Sequence, residues 1–137
     1  MINSVNVTEQ AVLVDGNVIF DTDRVRTRAC ACAGWLQHEN NTGVFTLVRP
    51  GIYKVEFNAN LSAPVAGDAT LAIQSNGVTV GGTEMDATVA VAGDYANVGA
   101  STLIVVEPYT SRTVTVANIS AAAVTVDDAN IIITRIA

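Results

Sequence analysis

Apolar and polar residues alternate most clearly between positions 53 and 61. The apolar positions are Tyr53, Val55, Phe57, Ala59 and Leu61. The residues between them are Lys54, Glu56, Asn58 and Asn60. Because successive side chains of a strand point to opposite faces of a sheet, this pattern predicts a β-strand with one buried face.

Shorter strand patterns recur along the whole chain. We predict strands over 6–14, 17–20, 24–31, 35–37 and 43–47, and again over 69–75, 98–107 and 130–136, with further short strands around valines 78, 89, 114 and 124. Turn signals such as Asn76-Gly77 separate them. No window keeps the i, i+3, i+4, i+7 apolar spacing of a helix. The sequence therefore predicts one all-β domain over residues 1–137, an antiparallel β-sandwich of about nine or ten short strands, arranged as a jelly roll.

Two of the predicted strands are apolar on both faces. They contain the runs 103–106 and 131–133. One face of such a strand fills the core of a sandwich, so the other face needs a second cover, which a neighbouring subunit supplies. The candidate interface residues are Ile104, Val106, Ile132, Trp35 and His38.

The composition also favours an oligomer. Half of the residues are hydrophobic, only 15% are charged, and the mean hydropathy is +0.38. No apolar run approaches the roughly 18 residues of a membrane-spanning helix. The net charge of -6 argues against a nucleic-acid partner, because nucleic-acid binding needs a basic surface. The first residues lack the basic and apolar segments of a secretory signal, so we expect synthesis and folding in a cytoplasm.

The order of several motifs resembles the C1q/TNF-like jelly roll. The segment 43–46 leads to Arg49-Pro50-Gly51-Ile52-Tyr53, an apolar strand over 69–75 ends in Asn76-Gly77, and 101–106, 112–118 and 129–136 match the last three strands. This resemblance implies a homotrimer whose inner sheet surrounds a three-fold axis, with recognition loops at one end. Similar domains lie on spore-surface filaments and on the heads and fibres of tailed phages.

The chain lacks the Gly-X-Y stalk of the collagen-bearing members. We therefore expect a structural, non-enzymatic trimer on a virion surface, as a phage head decoration or fibre protein docked on a protein shell such as a capsid. One alternative is a tip module that binds a carbohydrate or a receptor through loops 81–88 and 93–97. The other is a spore-surface protein.

No catalytic or cofactor motif emerges from the sequence. His38 is the single histidine, and no Gly-x-Ser-x-Gly is present. We expect Cys30 and Cys32 to be reduced, buried thiols, because a disulfide between residues two apart on a strand would be strained. No metal or cofactor is predicted, and the acidic pairs are interpreted as solvated turn residues: Asp21 and Asp23, Glu84 and Asp86, and Asp127 and Asp128. Arg24, Arg26 and Arg28 share one predicted strand face, which is either a docking stripe for an acidic surface or a solvated face with cross-strand ion pairs.

Overall fold

The computed structural model describes residues 1–27 and 34–137, and the regular structure in these ranges is all β. Abundant Val and Thr explain this, since β-branched side chains suit a pleated, half-buried surface. The strands are β1 (Ile2–Asn6), β2 (Gln10–Val12), β3 (Thr22–Arg26), β4 (Leu36–His38), β5 (Phe45–Leu47), β6 (Gly51–Ser62), β7 (Gly67–Ser75), β8 (Val78–Thr79), β9 (Met85–Val89), β10 (Ala96–Val106), β11 (Arg112–Asn118) and β12 (Val124–Arg135).

The strands form two antiparallel sheets that pack face to face as a sandwich. The front sheet has the order β10-β6-β12-β1-β3, with β2 paired to β12. The back sheet has the order β4-β5-β11-β7-β8, with β9 paired to β7. The predicted all-β sandwich and jelly roll are confirmed.

The core lies between the sheets and consists of the inward residues of both. The largest fully buried side chains include Tyr53, Phe20, Phe45, Leu61 and Ile131. Tyr53, Val55, Phe57, Ala59 and Leu61 are all buried, as the alternation predicted. Three phenylalanines meet edge to face at the centre, with Phe20 5.5 Å from Phe45 and 6.4 Å from Phe57 between ring centroids.

Several predicted strand limits are wrong. The two predicted strands around Val124 and over 130–136 are one strand, β12, whose register shifts at Asp127. Asp128 has a φ of 50°, which is the conformation of a bulged residue, and a bulge mimics a turn in the sequence because polar residues occupy it. The strand expected around Val89 starts earlier, at Met85, so the predicted binding loop 81–88 is half strand.

Within the described residues, no helix has the length and apolar character needed to cross a membrane.

Candidate self-association face

The outer surface of the front sheet, called the front face below, carries five exposed or half-buried apolar side chains, called the apolar area, with polar residues such as Asn3 and Lys54 between some of them. Its side chains come from four strands: Leu103 and Val105 from β10, Ile52 from β6, Ile132 from β12, and Val25 from β3. Leu103 is 57% exposed and Val105 is 49% exposed. The outward residues of the back sheet are polar instead, as with Thr46, Thr113, Gln74 and Thr88.

Beside the apolar area, amides bond to one another across the front face. The Asn3 amide donates to Asn130 Oδ1 at 2.6 Å, and the Asn130 amide donates to Asn58 Oδ1 at 3.0 Å. The three residues lie on adjacent strands, β1, β12 and β6. These two hydrogen bonds hold the three side chains in a defined arrangement on the front face.

A shallow depression lies where the amide row meets Ile132. Gly99 also lines it, and a Cβ at this position would lie only 3.1 Å from the Phe57 carbonyl oxygen of β6. Glu56, Asn58 and Ile132 line its sides. Next to it, the Lys54 ammonium lies 2.9 Å from a Glu56 carboxylate oxygen. The front face therefore offers an apolar area, an indentation and paired charges, which together can contact another protein surface.

The structure places the predicted interface residues in different surroundings. Ile132 lies on the front face, half-buried. Ile104 and Val106 are only 5% and 2% exposed and belong to the core of the chain itself. Both side chains therefore point into the sandwich, and the outward positions of β10 are the alternate ones, Leu103 and Val105. In a strand that is apolar on both faces, the sequence does not show which alternate residues point into the core.

Trp35 and His38 lie away from the front face. Trp35 is half-buried, and its ring centroid is 5.8 Å from that of Tyr53 at one end of the sandwich. The His38 side chain is fully buried and stacks on Phe45 with a centroid distance of 4.1 Å. Neither side chain is therefore part of the front face.

His38 belongs to a polar cluster that joins the edges of the two sheets. Its Nδ1 lies 2.8 Å from an Asp23 carboxylate oxygen, and its Nε2 lies 3.1 Å from the Thr42 carbonyl oxygen. The same Asp23 oxygen accepts a hydrogen bond from the Ser4 hydroxyl, and the other carboxylate oxygen is 3.3 Å from Arg26. Since Asp23 is on β3 and His38 on β4, the cluster connects the front sheet to the back sheet.

The cluster has the composition of a catalytic triad without its geometry. In a triad the serine hydroxyl bonds to the histidine and the histidine bonds to the carboxylate. Here Ser4 bonds to Asp23, and the Thr42 carbonyl occupies the histidine nitrogen that would act on a serine. The arrangement holds two strands together, and it provides no activated nucleophile.

The predicted arginine stripe is interrupted. The register of β3 shifts next to Arg24, so Arg24 and Arg26 do not alternate regularly on one face. Arg26 pairs with Asp23 and also donates to the His38 carbonyl oxygen at 3.3 Å. Arg28 lies outside the described residues, as do Cys30 and Cys32.

The acidic pairs do not converge into a metal centre in the described ranges, which contain no group of three or more His, Cys, Asp or Glu side chains able to hold a metal ion. Asp23 belongs to the inter-sheet cluster. Asp86 accepts a hydrogen bond from Thr70 at 2.6 Å on the outer face of the back sheet. Asp127 and Asp128 mark the bulge in β12.

Two tyrosines occupy loops at opposite ends of the sandwich. Tyr95 donates a hydrogen bond to Glu9, and this hydrogen bond raises the pKa of Tyr95 to about 12. Tyr109 is fully exposed in the loop between β10 and β11. Its φ of 64° lies in the left-handed region that favours glycine.

No protein-family model matches the sequence, and no curated protein sequence matches it. Solved structures do match its fold. The globular domain of zebrafish complement 1qA superimposes with a TM-score of 0.65 at 14% identity, over 96% of this chain and 94% of that one. Eiger TNF from S. frugiperda gives a TM-score of 0.67 at 9% identity, over 99% and 92%. Murine APRIL gives 0.64 at 12% identity, over 98% and 97%. The chain has a C1q/TNF-like jelly-roll fold.

Two of the motifs on which the resemblance was based lie at turns in this structure. Pro50 and Gly51 turn the chain into β6, and Gly51 has a φ of 148°. Asn76 and Gly77 form the β7–β8 turn with φ values of 51° and 78°. The turns could be predicted from the sequence because their residues are adjacent in the chain. The residues of the front face could be identified only once the order of the strands was known.

Proposed function

We propose that this chain is a non-enzymatic structural protein that assembles as a homotrimer through its front face and forms a surface module of a larger particle, namely a head decoration or fibre protein of a phage. The observation that carries the proposal is the apolar area of Leu103, Val105, Ile132 and Val25 on one sheet of a C1q/TNF-like jelly roll. The resemblance drawn from the sequence implies a trimer around an inner sheet.

The choice of the front sheet follows from the difference between the two outer surfaces. Threonine, glutamine and aspartate side chains on the back sheet are well hydrated, so burying them would cost free energy without new partners. The front face combines exposed apolar side chains with amides that hydrogen-bond to one another. Burial of apolar surface is the main driving force of association, and it favours the front face.

A cross-linking experiment tests the arrangement of the subunits. With cysteines introduced separately as Leu103→Cys and Thr88→Cys, one on each sheet, oxidation should link subunits only for the front-face variant. The Thr88→Cys variant is the matched control, because it lies on the outer surface of the back sheet. Cross-linking of Thr88→Cys alone would refute the front-face arrangement.

Immunogold electron microscopy tests the role on a particle. Antibodies raised against the chain should label intact virions from cells that produce it, at regularly repeated positions on the head or fibres. Labelling of free protein only, with unlabelled virions, would refute the virion role while leaving the trimer untouched.

A second candidate function is a binding tip for a carbohydrate or a receptor. The observation that favours it is Tyr109, an aromatic side chain displayed at a loop apex in a left-handed conformation. Aromatic rings provide the apolar faces on which sugars and proteins bind. A glycan array probed with the wild type and with Tyr109→Ala tests it, since binding that survives the substitution would exclude this loop.

A further inference from the structure

The charged side chains of the sandwich are separated between its two ends. Strand directions define these ends. The acidic end contains the loops β1–β2, β2–β3, β6–β7, β9–β10 and β11–β12. The basic end contains the loops β5–β6, β7–β8 and β10–β11 and the end of β12.

Carboxylates gather at the acidic end. They include Glu9, Asp15 and Asp94 in the loops, and Asp127 and Asp128 in the adjoining part of β12. In residues 1–27 and 34–137, no lysine or arginine lies in these loops. This separation of charge is not apparent from the sequence, because the carboxylates are scattered along the chain. The topology of the sheets brings them to one end.

Arginines gather at the basic end. Arg49 precedes β6, Arg112 begins β11, and Arg135 ends β12, where its guanidinium donates to the Pro50 carbonyl oxygen at 2.8 Å. In the described part of the chain, none of these three side chains forms an ion pair with a carboxylate. Glu107 is the acidic side chain in the β10–β11 loop, which leaves the end with an excess of positive charge.

Both ends also expose large apolar side chains. At the acidic end, Val7, Leu13 and Val65 are each about two-thirds exposed or more. At the basic end, Tyr109 is fully exposed in a left-handed turn conformation, and Val48 lies exposed beside Arg49. Tyrosine and arginine are the residues that most often dominate protein interfaces. Positive φ is uncommon for a residue as large as tyrosine.

We propose that the acidic end of one copy docks on the basic end of the next copy, which stacks the protein end to end. A second copy fits better than an unrelated partner because the chain itself carries the two complementary surfaces. One end-to-end contact also covers both apolar sets, whereas a foreign partner would cover only one. Such a contact is heterologous and does not close, so it generates linear stacks. Only one part of this proposal rests on the proposed trimer, namely that the stacked units share one axis.

Sedimentation velocity at two ionic strengths tests the stacking. At about 0.5 M salt the attraction between exposed charges is screened, and the protein should sediment as its basic assembly unit. At about 0.02 M salt it should form multiples of that unit, with a weight-average mass that rises with concentration. The mass at high salt tests the trimer separately. A single-chain mass at high salt, together with association at low salt, would refute the trimer but not the stacking.

Two charge-reversal variants identify the surfaces. The basic-end variant carries Arg49→Glu and Arg112→Glu. The acidic-end variant carries four changes, which leave this end with more cations than carboxylates: Glu9→Arg, Asp15→Arg, Asp94→Arg and Asp127→Arg. Each variant should remain at the mass of the basic unit at low salt, while an equimolar mixture should stack again, because each reversed end meets an opposite charge. Restored stacking also shows that both variants are folded.

Three outcomes would overturn the stacking. The first is a wild-type mass that is equal at both ionic strengths. The second is low-salt association that persists in either variant alone. The third is a mixture of the two variants, each with the circular dichroism spectrum of the wild type, that does not associate.

Discussion

Truncation of two adjacent residues of β10 separates the stability of the chain from the stability of its assembly. Ile104 and Leu103 are neighbours in sequence, yet Ile104 is 5% exposed and Leu103 is 57% exposed. The substitutions Ile104→Ala and Leu103→Ala therefore remove side chains of equal size from the core and from the front face. We expect the first to affect folding and the second to affect association.

The expected magnitudes follow from these exposures. Removing a buried isoleucine side chain costs about 2–5 kcal/mol, a large part of the 5–15 kcal/mol that holds a typical domain folded. Full burial of a leucine side chain contributes about 1.5–3 kcal/mol, so the exposed half of Leu103 supplies roughly 1–2 kcal/mol when a neighbouring subunit covers it. A trimer contains three such contacts, which gives a loss of about 3–6 kcal/mol of association free energy for Leu103→Ala.

Two assays separate the effects. Urea denaturation followed by circular dichroism, below the concentration at which the protein associates, should show the midpoint of Ile104→Ala lowered and that of Leu103→Ala nearly unchanged. Sedimentation equilibrium should show that Leu103→Ala dissociates at higher protein concentration than the wild type. Unchanged association of Leu103→Ala would refute the front face as the interface, and an unchanged midpoint of Ile104→Ala would refute the inward orientation of that residue.

Three further predictions concern the inter-sheet cluster, a tight loop contact and a titrating tyrosine. Asp23→Ala leaves the buried His38 ring nitrogen and the Ser4 hydroxyl without their hydrogen-bond partner, so the free energy of unfolding should fall by about 1–3 kcal/mol in urea denaturation. Gly43→Ala places a methyl group against the Val18 carbonyl oxygen, and the midpoint of thermal unfolding should fall by the equivalent of about 1–3 kcal/mol. Tyr95 should ionise near pH 12 in an ultraviolet titration, because the folded chain favours its neutral form beside Glu9, and Glu9→Gln should bring this pKa down towards the ordinary tyrosine value of 10.

Each of these predictions has a control. Asp94→Ala removes an exposed carboxylate and should change the free energy of unfolding by less than about 0.5 kcal/mol. Gly81→Ala adds a methyl group to open space and should leave the thermal midpoint unchanged. In the ultraviolet titration, Tyr95→Phe identifies the signal that belongs to Tyr95. An Asp23→Ala variant as stable as the wild type, a Gly43→Ala midpoint equal to that of Gly81→Ala, or a Tyr95 signal unmoved by Glu9→Gln would each contradict the structural account of that site.

The sequence predicted the architecture well because alternation and turn chemistry are local signals. The buried face of β6 and the Asn76-Gly77 turn were both readable, since each depends on adjacent residues. The bulge in β12 could not be predicted, because Asp127 and Asp128 are residue types that also form turns. Whether they form a bulge or a turn depends on pairing with the neighbouring strand.

The candidate site was harder to predict because it depends on contacts between distant segments. Packing against the opposite sheet determines which alternate residues of β10 point inward. The sequence therefore did not show that Ile104 is buried and Leu103 is exposed. The Ser4, Asp23 and His38 cluster joins residues from three strands, and no spacing in the sequence announces it. The charge separation between the two ends likewise follows from strand directions alone.

The solution mass of the wild-type chain at high salt tests the central claim most directly. The mass is measured by light scattering after size-exclusion chromatography in about 0.5 M salt. This salt concentration screens the proposed end-to-end attraction but not the proposed apolar contact between front faces. The proposed homotrimer predicts three times the chain mass of 14.2 kDa, independent of concentration over the accessible range. A mass of 14.2 kDa at every concentration would contradict the homotrimer and the function proposed for the front face.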